Sequence, residues 1–143
     1  MRYTDASVGS ALLPKIIGSY EEPIHAWIED AVKRSYRTIY VIGAAEGYYA
    51  VGLARAIPTA QVTAFETSDR GRELLGELAR INSVSVESHG TATVDSLKLL
   101  KPKGPTLIIM DVEGAERTLL DPSLAAWKRA TSLSRRTISW FPS

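Results

Sequence analysis

A doubly wound α/β fold, with a mostly parallel sheet and helices on both faces, is predicted by three features of this sequence. Two runs, T-I-Y-V-I-G and T-L-I-I-M-D-V, are short, continuously apolar and rich in β-branched residues. That is the pattern of strands buried on both faces. Strand-like runs alternate along the chain with segments of helical period. Parallel neighbours need connections long enough to return across the sheet, so this alternation implies right-handed crossovers.

The elements follow in order. S-Y-E-E at Ser19 is a capping box, which predicts a helix start in which the serine hydroxyl and Glu22 satisfy each other's backbone amides. Pro23 is tolerable there only because it lies in the first turn. Ile24, Trp27, Ile28, Ala31 and Ser35 fall at helical spacing as one buried face, with Glu29, Asp30, Lys33 and Arg34 opposite. T-I-Y-V-I-G is the first strand, and Gly43 to Gly47 forms a glycine-punctuated turn. Helical spacing resumes from Tyr49 to Ile57 and stops at Pro58. Gln61 to Phe65 is the second strand, closing on Glu66. Arg70 to Ile81 reads as a helix, Val84 to Glu87 as a strand, and Val94 to Leu100 as a short helix before the turn-forming P-K-G-P. T-L-I-I-M-D-V is then the clearest strand. About five strands result, although S-L-S-R-R-T-I-S-W-F-P-S lacks the apolar continuity of a central strand. No internal repeat interrupts the pattern, and residues 1–12 and 134–143 are expected to be irregular ends.

Composition narrows the class. With 143 residues and 45% hydrophobic content the chain supports one core and is too short for two, so residues 1–143 are read as a single domain. The 17 basic and 16 acidic residues nearly cancel, which leaves no field to hold a phosphate backbone or an anionic membrane. Neither nucleic acid nor membrane is therefore expected as a partner. The absence of cysteine removes disulfides, thiolate metal sites and thiol nucleophiles. No apolar run approaches the about 18 residues of a membrane span, and Met1 to Ser10 does not read as a signal peptide. A soluble, cytoplasmic protein is expected.

Function should reside where the strands end. In an open parallel sheet, ligands bind outside the carboxyl ends, near the reversal of strand order. G-A-A-E-G ends the first strand, and its glycines allow a close backbone approach. About 20 residues later Glu66 ends the second strand, where a carboxylate can accept both hydrogen bonds of a ribose diol. The turn is not the G-x-G-x-x-G of pyrophosphate binders, because position 45 is alanine. It suits a ligand without a diphosphate, and S-adenosylmethionine, with a ribose, an adenine and a cationic sulfonium, meets that description.

L-L-P-K-I-I-G-S-Y-E-E-P-I-H, I-G-A-A-E-G-Y-Y-A-V-G-L-A, F-E-T and M-D-V-E-G-A-E together resemble class I S-adenosylmethionine-dependent methyltransferases, the FkbM-like group in particular, from about Leu12 to Trp127. The resemblance implies a Rossmann-like sheet and S-adenosylmethionine as cofactor. It places Gly43, Ala45 and Gly47 against the amino-acid part of the cofactor, with Ala44, Glu46 and Tyr48 in the same lining. Glu66, with Thr67 beside it, would bind the ribose, and His89, Gly90 and Thr91 would border the adenine. Asp111, Glu113 and Glu116 inherit the place beside the methyl group, with Asp111 and Glu113 the candidate catalytic residues.

Two departures qualify the implied activity. The family usually has an acid two positions before the first glycine, where this chain has Val41. A complete member usually continues through a sixth and a seventh strand, so the C-terminus reads as truncated. Methyl transfer to an oxygen or nitrogen of a small-molecule acceptor is the expected function. The alternative is a degenerate or truncated binding module that needs a partner chain, a homodimer through an exposed sheet edge being the simplest form. A nicotinamide-dependent oxidoreductase would share the fold and the ribose carboxylate, but the turn fits it badly. Plainer readings remain for other residues. Asp111 and Glu113 would also suit a helix start, and Trp27 is core by its register. His25 reads as a packing or surface residue, and two histidines so far apart make no metal site. Lys128, Arg129, Arg135 and Arg136 read as a solvated end.

Overall fold

The computed structural model describes residues 1–6, 12–17, 25–112, 114–119 and 130–134. Strands β1 (Thr38–Ile42), β2 (Gln61–Phe65), β3 (Glu87–His89), β4 (Thr106–Met110) and β5 (Ala130–Ser134) form one sheet in the order β3-β2-β1-β4-β5. Every pairing in it is parallel. Helices α1 (Leu12–Ile17), α2 (His25–Lys33), α3 (Tyr48–Ala56), α4 (Asp69–Ile81), α5 (Val94–Lys98) and α6 (Glu116–Leu119) accompany the strands.

The continuous apolar runs have the cause expected of them. Successive side chains of a strand point to opposite faces. Ile39, Val41, Val62, Ala64, Leu107 and Ile109 thus enter one core with residues of α2, α3 and α4. Tyr40, Ile42, Phe65, Ile108 and Met110 enter another with Leu97 of α5 and Leu119 of α6. All five residues of both β1 and β4 are buried. Threonines enter these runs at their first positions, where partners exist: Thr38 Oγ1 accepts from the Lys103 amide at 2.9 Å and Thr106 Oγ1 donates to the Gly104 carbonyl at 2.9 Å; burial on both faces keeps the rest of each run from alternating.

Local signals account for the helices. Ser68 caps α4 by accepting from the Gly71 amide at 3.2 Å. Leu74, Leu75, Leu78 and Ala79 then form its buried stripe, opposite exposed Glu73, Glu77 and Arg80. Thr93 and Ser96 make a reciprocal capping box at the start of α5. The box at Ser19 lies outside the described residues.

Several expectations are corrected. The third strand begins at Glu87 rather than Val84 and has three exposed residues. Val84 and Val86 instead pack beside Val51, Leu78 and Ala79, so their apolar alternation records packing under the end of α4, not ladder pairing. Ser35 is exposed at φ 53° in the turn after α2, outside the buried face assigned to it. Trp27 is half-buried rather than core; α2 meets the core through buried Ala31 and partly buried Ile28 and Val32. The fifth of the about five strands expected is Ala130–Ser134, which pairs with β4 over five residues and takes in only the first three residues of S-L-S-R-R-T-I-S-W-F-P-S, the rest of which lies outside the described residues. This strand lies at the edge of the described sheet, where the demand for apolar residues on both faces is relaxed. Among the described residues, no helix is long and apolar enough to cross a membrane.

Candidate functional site

Chain connections run from β1 to β2 and β3 on one side, then cross back to β4 on the other. Strand order therefore reverses between β1 and β4, and the crevice at the carboxyl ends of those strands is where this architecture receives ligands. Backbone hydrogen bonds continue past the strands at this end. Gly43 and Ala44 donate to the Phe65 carbonyl at 2.9 and 3.0 Å, Glu66 donates to His89 O at 3.0 Å, and Asp111 donates to Ile42 O at 2.9 Å. The turn after β1, Glu66 and Asp111 are thereby held in neighbouring registers on one rim.

The turn itself has an alternating backbone. Gly43, Ala45 and Gly47 have φ of 79°, 48° and 94°. At Gly43 the reason is contact: a Cβ would stand 2.0 Å from the Asp111 carbonyl oxygen, far inside the separation that a non-bonded carbon and oxygen can adopt. Ala45 adopts the left-handed region despite its side chain, a conformation that needs support from its surroundings. The position that departs from a glycine pattern in sequence thus behaves as a glycine position in structure.

Glu66 supplies part of that support. Its Oε2 accepts from the Ala45 amide at 2.7 Å, and its Oε1 accepts from the Ser68 amide at 2.8 Å. A carboxylate has about four acceptor positions, so these two bonds orient the group and leave capacity for further donors. The close approach of α4 depends on Gly71, where a Cβ would come within 2.8 Å of Glu66 Cγ and 3.3 Å of Ala45 O. Gly71 had no place in the sequence reading. Its signal was a glycine in the first turn of a helix, five residues after the strand-end acid.

The remaining candidates divide. Arg72 donates to the carbonyls of Glu66 and Thr67 at 2.5 and 2.8 Å, fixing the chain beside the carboxylate. Thr91 Oγ1 donates to Thr67 Oγ1 at 3.3 Å. The exposed His89 ring stacks on Phe65 with centroids 5.3 Å apart, and its Nε2 lies 2.9 Å from Glu87 Oε1. Thr67, His89, Gly90 and Thr91 thus continue the rim next to Glu66. Asp111 is half-buried at the end of β4, and Glu116 opens α6. Glu113 lies outside the described residues.

Two of the candidates, Glu46 in the turn and Tyr48 at the start of α3, face elsewhere. Glu46 is fully buried and pairs with Lys15 of α1, while Tyr3 Oη donates to the same carboxylate oxygen at 2.6 Å. Burial alone would raise its pKa, but the hydrogen bonds from Lys15 and Tyr3 outweigh that and hold it below the usual carboxylate range. Tyr48 packs near Tyr3, at 6.2 Å between centroids, and edge-on to Tyr49 at 5.1 Å. Together they border a largely apolar cavity of about 300 Å³ between α1, α2 and α3. Lys15 and Tyr3 were also missed in the sequence; a lone cation inside L-L-P-K-I-I was the available sign. Val41, where the family resemblance expects an acid, is 2% exposed within the core.

No protein-family model and no curated protein matches the chain. Solved structures do. The cofactor-bound Rv0187 protein from MTB superposes with a TM-score of 0.56 at 20% identity, covering 80% of this chain and 49% of that one. The chain shares its Rossmann-like fold with methyltransferases of known structure. A Klebsiella pneumoniae protein described as an O-methyltransferase gives 0.54 at 19% identity, covering 78% of this chain and 48% of its own. A Podospora anserina methyltransferase bound to S-adenosylhomocysteine gives 0.52 at 24% identity, over 59% of this chain and 38% of that one. The chain spans about half, or less, of the length of these structures. At such identities the likeness is one of fold.

Proposed function

We propose that the chain binds S-adenosylmethionine at the carboxyl ends of β1, β2 and β4 and transfers its methyl group to an oxygen or nitrogen of a small-molecule acceptor. The observation that carries this reading is the Glu66 carboxylate, fixed by the amides of Ala45 and Ser68 at 2.7 and 2.8 Å with acceptor capacity to spare. A ribose diol is a matching pair of donors. That the fold is shared with cofactor-bound and S-adenosylhomocysteine-bound proteins supports the same ligand class.

Each residue then has a physical task. Glu66 accepts the ribose hydroxyls, and the left-handed turn from Gly43 to Gly47 brings backbone close to the amino-acid tail. Thr67, His89, Gly90 and Thr91 border the adenine. When bound, S-adenosylmethionine supplies an electrophilic methyl carbon on a cationic sulfur. Asp111 stands beside the turn and would take the proton released by the acceptor oxygen or nitrogen as the methyl carbon's bond to sulfur gives way to its bond to the acceptor, leaving neutral S-adenosylhomocysteine as the product; Glu113 is the second candidate base. The site's contribution to the rate would come largely from holding acceptor and cofactor together in a reactive orientation.

Val41 supports a second reading, in which the chain binds the cofactor without turnover. An apolar residue buried in the core offers nothing to the cofactor's amino group at the position where the family has an acid. A dimer that covers an edge strand of the sheet belongs with that reading.

Calorimetric titration with S-adenosylmethionine, beside NAD, tests the proposal. Saturable binding of the first and none of the second is expected. No S-adenosylmethionine binding at millimolar ligand, with circular dichroism showing an intact fold, would overturn it. Binding without methyl transfer across a panel of hydroxyl and amine acceptors would favour the second reading.

A further inference from the structure

We propose that Lys15 and Glu46 are positioning residues, a buried ion pair through which the N-terminal segment sets the shape of the cofactor turn. Glu46 sits between Ala45 and Gly47, both in the left-handed region at φ 48° and 94°. Its side chain is fully enclosed, and that of Lys15 is 2% exposed. Its two partners lie 31 and 43 residues upstream, so the pair ties distant sequence to this single turn.

The pair is expensive in stability terms. Desolvating two charges offsets most of their attraction, and apolar residues of similar volume commonly do as well or better. Packing alone therefore gives no reason for it, whereas geometry does. An ion pair and the Tyr3 hydroxyl fix the direction of one side chain, and the adjacent Ala45 amide must point at Glu66 Oε2 for its 2.7 Å bond. One peptide unit thus separates the buried pair from the group that Glu66 leans on.

The N-terminal segment is itself anchored. Asn82 accepts from the Arg2 amide at 2.9 Å and donates to its carbonyl at 2.8 Å. Tyr3 is therefore held from the far end of α4, whose near end carries Gly71 against Glu66. Turn, N-terminal segment and α4 form a closed set of contacts, and the ion pair is its charged link.

The effect on affinity rests on the reading of Glu66 as a cofactor ligand, so the test has one arm that does not. Glu46→Gln, Lys15→Met and the double variant Lys15→Met/Glu46→Leu are prepared in the full chain. Residue-resolved amide exchange is measured without ligand, using β1 and β4 amides as the reference for global stability. S-adenosylmethionine affinity is measured alongside. In the double variant, apolar replacement restores the melting temperature toward wild type, while the Ala45 amide exchanges about tenfold faster than in wild type and the strand amides do not. Cofactor affinity falls about tenfold in the same variant.

Wild-type exchange at Ala45 in the double variant would overturn the proposal. So would a rise that the strand amides share, because the pair would then contribute only to stability. If the double variant does not fold, Glu46→Gln decides by the same comparison of Ala45 with the strands. If wild type binds no S-adenosylmethionine, the cofactor reading fails, and exchange at Ala45 still decides whether the pair shapes the turn.

Discussion

Glu66, at the end of β2, accepts the amide hydrogen of Ala45, which lies in the turn after the neighbouring strand β1, at 2.7 Å. That bond joins the two candidate ligand-binding elements directly. A carboxylate already oriented by backbone donors loses little freedom when it takes up a diol, which is the advantage of preorganisation.

Gly71→Ala tests the packing of α4 against Glu66. Alanine at a helical position gains up to about 1 kcal/mol in propensity over glycine, but its Cβ would press on Glu66 Cγ at 2.8 Å. Both Glu66 carboxylate oxygens are held by backbone amides, and the same Cβ would lie 3.3 Å from the Ala45 carbonyl oxygen, so relief requires a hydrogen bond to be given up. Denaturation should therefore show a net loss of about 1 to 3 kcal/mol, while cofactor affinity falls as the carboxylate is displaced from Ala45. Unchanged affinity in the variant would count against this packing relationship.

The same chemical change should have opposite effects at Gly43 and Gly76. At Gly76, in the middle of α4, an added Cβ meets nothing within 4 Å, so Gly76→Ala should stabilise by about 0.5 to 1 kcal/mol. At Gly43 it meets backbone oxygen of Asp111 at 2.0 Å, with φ at 79°. Gly43→Ala should cost about 3 kcal/mol or more, because the ends of β1 and β4 must separate. Urea denaturation of the two variants checks both signs.

The legibility of this fold tracked the number of faces on which a segment is buried. β1, β2 and β4 stood out because burial on both faces forces a continuous apolar run, and β2 was found at Gln61 to Phe65. β3 and β5 lie at the edges of the described sheet, where that constraint relaxes; the former was displaced and the latter weakly marked. Glu66 was readable from its spacing to the turn. Gly71 was not, because its role is steric and belongs to an atom it lacks. Lys15 and Tyr3 were unreadable for another reason: a contact across 31 or 43 residues leaves no periodic trace.

Acid should release the N-terminal link. The Glu46 pKa in the folded protein is depressed because hydrogen bonds from Lys15 and Tyr3 overcome the opposing effect of burial. A carboxylate with a lowered native pKa contributes stability that is fully present above its unfolded value, about 4.3. That contribution is lost as pH falls through the native value. The difference in unfolding free energy between wild type and Lys15→Met/Glu46→Leu should therefore shift against wild type between neutral pH and acid below that value. A difference independent of pH across that window would contradict the assignment.

Whether Glu66 holds the ribose of an adenosyl cofactor is decided by a calorimetric comparison of wild type with Glu66→Ala in S-adenosylmethionine titrations. Loss of a charge-assisted contact to two hydroxyls should weaken binding by about 2 to 3 kcal/mol, roughly 30- to 140-fold in Kd. Equal dissociation constants for the two proteins would remove Glu66 from the site and contradict the account.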